Sequence, residues 1–212
     1  MPRHVNLDVL LELEVRDKQG RLLSSVKGRS RSLLWNFIAF LDGCFTGYAL
    51  NAGIALHEKG GTDVNITPFI PAQSGVDVEF HNMNVLAGEG DDSFGIVVGK
   101  GTASPTPDDY KLESQVPHGV STDQLYHYKT ELEEAGTSGQ DSYVKFKRLF
   151  ENKSGGDISI QELGLYAKWY KKVGSDVEGP YVFLLIRDVL GSAQTIPAGA
   201  TATVRYTIKV TT

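Results

Sequence analysis

With 212 residues, 41% of them hydrophobic and 22% charged, the chain is long enough to bury a substantial core and too apolar to be disordered. A formal net charge of −5 argues against a broad grip on phosphate backbones, so nucleic acid is not an expected partner. The one cysteine, Cys44, excludes an intrachain disulfide and a cysteine-built zinc site, and no run approaches the roughly 18 apolar residues of a membrane helix.

Val5, Leu7, Val9, Leu11, Leu13 and Val15 occupy odd positions and Asn6, Asp8, Glu12, Glu14 and Arg16 even ones, with only Leu10 out of pattern. This period of two predicts a strand with one buried face. It also lacks the continuous apolar stretch of a signal peptide, so synthesis in the cytoplasm is expected. Asp17, Lys18, Gln19 and Gly20 supply turn chemistry, and Arg21 to Val26 returns as the hairpin partner. Lys27, Arg29 and Arg31 follow at alternate positions and read as a solvated strand edge. The period then changes. Leu34, Phe37, Ile38, Leu41 and Phe45 share one helical face, which predicts an amphipathic helix near residues 32–45. Ser30 or Ser32 is its expected cap, Cys44 a buried small hydrophobe at its end, and plugging the open end of a β structure its expected role.

Residues 49–92 form a less regular, insertion-like region with candidate strands at Gly53 to His57, Val64 to Ile70 and Val76 to Phe80. His57, Glu58 and Asp63, and likewise Glu89, Asp91 and Asp92, lie beside glycines but lack the ligand alternation of a calcium loop, so they read as turn residues. Phe94 to Val98 is a clearer apolar run. Gly99 to Asp109 is rich in Gly, Pro, Thr and Asp and opens a long loop that runs to Gln115, and its Gly99-Lys100-Gly101-Thr102 lacks the spacing of a phosphate loop. His118, Ser121 and Asp123 contain the residue types of a nucleophilic triad. They are near neighbours in sequence, however, where local turn bonding is their ordinary use.

Strands are predicted at Gln124 to Glu133, Tyr143 to Glu151, Asp157 to Trp169, Tyr181 to Leu190 and Ala200 to Val210. The connections expected between the last four are Asn152 to Gly156, Val173 to Gly179 and Gly191 to Gly199. In the final strand Ala202, Val204, Tyr206, Ile208 and Val210 alternate with Thr201, Thr203, Arg205, Thr207 and Lys209, which implies one wet and one dry face. The expected fold is a single mainly β domain over 1–212, an antiparallel β-sandwich or jelly roll with the one helix. Trp169 with Tyr166, Tyr170 and Tyr181 is an aromatic concentration read as core or interface packing, with stacking of Trp169 and Tyr170 on a sugar ring as the alternative. No motif points to a catalytic residue, a cofactor or a metal, so the expectation is a protein that binds without catalysing.

Five stretches carry a resemblance. They are Ser32-Leu33-Leu34-Trp35-Asn36-Phe37, Gly95-Ile96-Val97-Val98-Gly99-Lys100-Gly101-Thr102, Pro105-Thr106-Pro107-Asp108-Asp109-Tyr110-Lys111-Leu112, Ile160-Gln161-Glu162-Leu163-Gly164-Leu165-Tyr166 and Leu185-Ile186-Arg187-Asp188-Val189-Leu190. With the closing Ile196-Pro197-Ala198-Gly199, their order and spacing resemble small virion structural proteins of tailed bacteriophages. The resemblance implies a virion component that assembles as a homo-oligomer onto a capsid or tail surface, with other virion proteins as partners and no membrane insertion. A tail-tip or fibre module that binds a receptor glycan is the alternative.

Within these stretches Gly95, Gly99 and Gly101 permit close backbone approach or positive φ, Pro105 and Pro107 stiffen the loop, and Asp108 or Asp109 caps the segment after it. Arg187 and Asp188 point to opposite faces, each able to bond a neighbouring strand or subunit. The expected contact residues are Lys100, Thr102, Pro105, Pro107, Asp108, Asp109 and Tyr110. Their loop does not read as a core element, so loss of residues 102–109 is expected to spare the fold.

Overall fold

The computed structural model describes residues 6–30, 32–39, 54–66, 83–173 and 176–211. Period-two alternation at the two chain ends gives β1 (Asn6–Arg16) and β10 (Thr201–Thr211), which pair antiparallel along their whole length. Between them in sequence lie β2 (Leu22–Arg29), β3 (Ile54–His57), β4 (Asp63–Ile66), β5 (Gly95–Gly99), β6 (Tyr126–Ser138), β7 (Asp141–Glu151), β8 (Ile158–Val173) and β9 (Asp176–Ile196). The strands form a five-stranded sheet ordered β2-β1-β10-β7-β6, a three-stranded sheet ordered β5-β8-β9, and the hairpin β3-β4. Every named strand pair is antiparallel, and the two larger sheets pack face to face as a sandwich.

The main core lies between these sheets, where Leu13, Val15, Val204 and Tyr206 of the large sheet meet Ile96, Val98, Leu163 and Leu165 of the small one. The large sheet keeps the expected alternation, with Lys27, Glu12 and Arg205 on its wet face. The small sheet departs from it, because all five residues of β5 are buried and side chains on both faces of the middle of the sheet lie in core clusters. Its far face carries Val97, Tyr166 and Leu184, which pack on Leu34, Ala87, Phe94 and Leu112 from the surrounding loops. Those loops therefore do the work of a third layer.

A bulge sets the parity of β8. Ile158 and Ile160 face the main core, the register shifts between Ile160 and Glu162, and Leu163, Leu165 and Ala167 then face it instead. Glu162 is thereby turned to the far face with Tyr166. Adjacent Arg187 and Asp188 diverge as expected: Arg187 bonds Glu162 on β8, while Asp188 accepts the Tyr206 hydroxyl from the large sheet at 3.1 Å.

Several boundaries differ from the sequence expectation. Gly191 to Ile196 is strand, not connection, because Gln194 to Ile196 pairs with Ile158 to Ile160, and only residues 197–200 turn the chain. Strand pairing likewise invades Val173 to Gly179, of which residues 174 and 175 lie outside the described residues. Helix is present at 35–39, and its first turn closes on the Leu34 carbonyl, so neither Ser30 nor Ser32 caps it. Leu34 and Phe37 are buried, but Ile38 is 46% exposed; Leu41, Cys44 and Phe45, like Arg31, lie outside the described residues. This turn sends Phe37 into the main core and is stapled to the small sheet by buried Asn36, whose amide donates to the carbonyls of His57 and Leu184 and whose oxygen accepts from His57 N–H. The strand expected at Val64 to Ile70 is present as far as Ile66, whereas that at Val76 to Phe80 lies outside the described residues.

Two buried polar residues tie β6 and β7 to the loops. Arg148 is fully buried and donates to the carbonyls of Tyr128, Phe94, Ile96, Gly88 and Asp91. Burial draws its pKa down to about 10, so the guanidinium stays charged near neutrality. His127 is also fully buried, edge-on to Phe150, and among the described residues neither ring nitrogen has a hydrogen-bonding partner. Burial first, then the nearby Arg148 cation and His118, push its pKa from 6.5 to about 3.

A base with a depressed folded-state pKa gains its proton more readily when unfolded. Its contribution to stability is therefore whole above pH 6.5 and is lost as pH falls toward 3. Chemical denaturation is expected to show a loss of about 2 kcal/mol between neutrality and pH 5, much reduced in His127→Phe. An equal acid loss in that variant would contradict the assignment to His127.

Candidate functional site

The far face of the small sheet brings together two charged side chains that the sequence leaves unexplained. Glu162 on β8 is fully buried and Arg187 on β9 is 3% exposed. Arg187 Nε donates to Glu162 Oε1 at 2.7 Å. Glu162 is shut off from water and Arg187 nearly so, so each depends on the bonds the loop supplies.

Residues 99–115 supply them. Backbone N–H groups of Gly101, Glu113 and Ser114 donate to the Glu162 carboxylate at 3.2, 2.8 and 3.1 Å. The remaining arms of Arg187 donate to Asp109 Oδ2 at 2.7 Å and to the Ala103 carbonyl at 3.1 Å. Asp109 in turn accepts from the Thr106 backbone and hydroxyl, and Glu113 accepts from the N–H groups of Thr102 and Ala103. Each end of the loop is thus bonded to the same two buried residues. Both limbs of the loop also join β5 and β8: Lys100 N–H bonds Ser114, Val116 N–H bonds Val98, and Leu112 N–H bonds the buried Tyr166 oxygen.

The glycines fit this close approach. A side chain on Gly99 or Gly101 would place its Cβ within 2.6 Å of Glu162 Oε2 and against Ser114 or Glu113. Of the three glycines in this stretch, Gly95 alone has a left-handed φ, +77°. Electrostatics follow the bonding. Burial opposes ionisation of Asp109, but the bonds from Thr106 and Arg187 outweigh it and hold the carboxyl below its ordinary range. The Ala103 and Thr102 amides lower Glu113 in the same direction. Burial likewise opposes charge on Arg187, and its two carboxylate partners overcome this and raise its pKa.

The seven expected contact residues all lie on this loop, in different settings. Thr102, Pro107 and Asp108 are exposed, as is Lys100, which pairs with Asp123. Pro105 is half-buried beside Leu33 and Leu34, and the Pro107 carbonyl accepts Trp35 N–H. Asp109 and Tyr110 face inward, Asp109 onto Arg187 and the Tyr110 ring onto the Gly61 turn. Between them a shallow cleft of about 330 Å³ is lined by Ser104, Thr106, Tyr110, Lys111 and Glu113, with Arg187 at its floor. This corrects the expectation that residues 102–109 are dispensable. Removing them would strip a buried guanidinium of Asp109 and the Ala103 carbonyl.

Trp169 is 1% exposed and packs with Ala39, Leu56, Val64 and Phe183, so its ring offers no face to a sugar; Tyr170 is half-buried. His57 and Asp63 bond each other across the β3-β4 hairpin, while Glu58 caps the Gly60 amide. Glu89 accepts from Tyr126, Asp91 from Ser93 and Asp92 from the His118 backbone. His118 Nδ1 accepts His127 N–H, Asp123 holds Lys100, and the Ser121 amide bonds Gln124, so the three triad-type residues serve separate partners. Comparison with protein-family models, curated proteins and solved structures finds no match for this chain.

Glu162→Gln is expected to cost about 3–5 kcal/mol in urea denaturation, since it strips a buried guanidinium of its nearest anion. The double variant Glu162→Gln/Arg187→Met is expected to lose clearly less than the sum of the two single changes. Simple additivity would show that the pair is not coupled.

Proposed function

We propose that this chain is a non-enzymatic structural component of a tailed-phage virion, which assembles as a homo-oligomer on a capsid or tail surface and meets other virion proteins through the loop at 99–115. The observation that carries this reading is a division of labour within the loop. Its backbone is fixed by the buried Glu162–Arg187–Asp109 bonds, while Thr102, Ser104, Pro107 and Asp108 are exposed.

A loop ordered before contact loses little conformational entropy on binding, so even a small surface can contribute usefully. On a particle that presents the same site many times, modest individual contacts add up. The resemblance of the stretches at 95–102, 105–112 and 185–190 supports the choice of particle. The glycan-binding alternative loses its main support with Trp169 enclosed in the core.

Thr102→Arg/Asp108→Arg changes two exposed side chains and leaves every acceptor of the buried bonds in place. The variant is expected to keep the parent's β circular dichroism spectrum and thermal midpoint, yet to be missing from particles purified from cells that express it in place of the parent. Parent-like incorporation would refute the loop as the contact surface.

A further inference from the structure

The large sheet ends in two strands of opposite charge. Edge strand β2 carries Lys27 and Arg29 and no carboxylate, whereas residues 131–138 at the other edge, in β6, carry Glu131, Glu133 and Glu134 and no cation. Among the described residues no backbone bond reaches the outer side of β2 or of 131–138. Leu132 is 51% exposed on this edge, and Leu22 and Leu23 are 51% and 50% exposed on the other.

Register across the five strands sharpens the contrast. One row runs Lys27, Glu12, Arg205, Lys147, Glu131; the next runs Gly28, Leu11, Tyr206, Phe146, Leu132; a third runs Arg29, Leu10, Thr207, Lys145, Glu134. Both charged rows therefore begin with a cation and finish with a carboxylate on the same face. The row between them begins at a glycine with open space above its Cα and finishes at an exposed leucine on the opposite face. Four antiparallel pairings separate β2 from β6, so the two edges run in the same direction.

We infer that the partner of each edge is a second copy of this chain, with β6 of one copy adding in parallel to β2 of the next. This deepens the homo-oligomer of the proposed function and rests on it. Continuing the rows across the junction sets Glu131 beside Lys27, Leu132 over Gly28 and Glu134 beside Arg29, with Glu133 remaining the extra residue of the bulge between Leu132 and Glu134.

A two-fold junction of like edges would oppose carboxylates in one case and cations in the other. Charge thus selects the unlike, head-to-tail arrangement, which closes into a ring or extends as a filament. Charged edge strands usually prevent association, and here the same device blocks only the like-edge junctions. The four side chains already have partners within their own sheet: Lys27 on Glu12, Arg29 on Asp8, Glu131 on Lys129 and Lys147, and Glu134 on Lys145. Their side-chain exposures of 63%, 73%, 36% and 50% leave surface for a second neighbour.

The test is light-scattering mass of the full chain against concentration, at about 0.05 M and about 0.5 M salt. The parent is expected to self-associate, more weakly at high salt. Lys27→Glu/Arg29→Glu makes both edges acidic and Glu131→Lys/Glu134→Lys makes both basic, so each alone is expected to associate roughly tenfold or more weakly. Mixed in equal amounts, the two are expected to regain the parent's association by alternating, which also shows that both are folded. Leu132→Asp, at an exposed position, is a further variant expected to weaken the junction. Variants that associate like the parent, or a mixture that stays dissociated, would refute this interface and leave the oligomer standing. A parent that remains monomeric at both salts would refute the oligomer and the interface together.

Discussion

A carboxylate and a guanidinium removed from water need each other, and between β8 and β9 that need organises the loop at 99–115. Glu162 and Arg187 would be costly alone on the far face of the small sheet. Bonded to one another, they still leave lone pairs and N–H groups to satisfy, and the loop at 99–115 meets that demand from both its limbs. The loop is consequently held down over Val97, Tyr166 and Leu184, so the far face of the small sheet is covered there. Loop conformation and candidate contact surface thus depend on one ion pair.

The two sheets divide the tasks of the protein. The small sheet is covered on both faces through β5 and the middle of β8 and β9, and contacts line its edges: Gly99 bridges to Gln115, Leu33 to Ile186 and Glu58 to Phe183, while Arg148 ties β5 to β7 from inside. The large sheet has a charged open face, and among the described residues no backbone bond reaches the outer side of β2 or of residues 131–138. The buried charges thus stiffen one layer, while the other leaves its charges in water.

How much of this the sequence discloses depends on periodicity. β1 and β10 are legible because one face is wet, and burial alternates from Asp8 to Arg16 in β1 and from Thr201 to Tyr206 in β10. Cross-strand pairing decides strand ends, and pairing is not a local property, which is why Gly191 to Ile196 reads as a turn and folds as a strand. Covering loops pose a harder problem, since Gly99 to Gln115 has turn composition yet its backbone closes a core.

The buried charges left faint marks that a stricter parity count brings out. In β8 the apolar set passes from Ile158 and Ile160 to Leu163, Leu165, Ala167 and Trp169, and this slip marks both the bulge beside Glu162 and the inward course of Trp169. In β7 Arg148 holds the same parity as Phe146 and Phe150, the position of a core side chain. No such signal identifies Asp109 as the partner of Arg187, because the two are joined only by the tertiary fold.

Residue-resolved hydrogen exchange at the amides of Gly101, Thr102, Ala103, Glu113 and Ser114 tests the central claim most directly. All five donate to buried or loop-bound carboxylates although most of these residues are exposed, so slow exchange at all of them is expected, with collective release in Arg187→Met. Exchange in the parent at the rate of an unstructured peptide would mean that the ion pair does not hold the loop, and the account would fail with it.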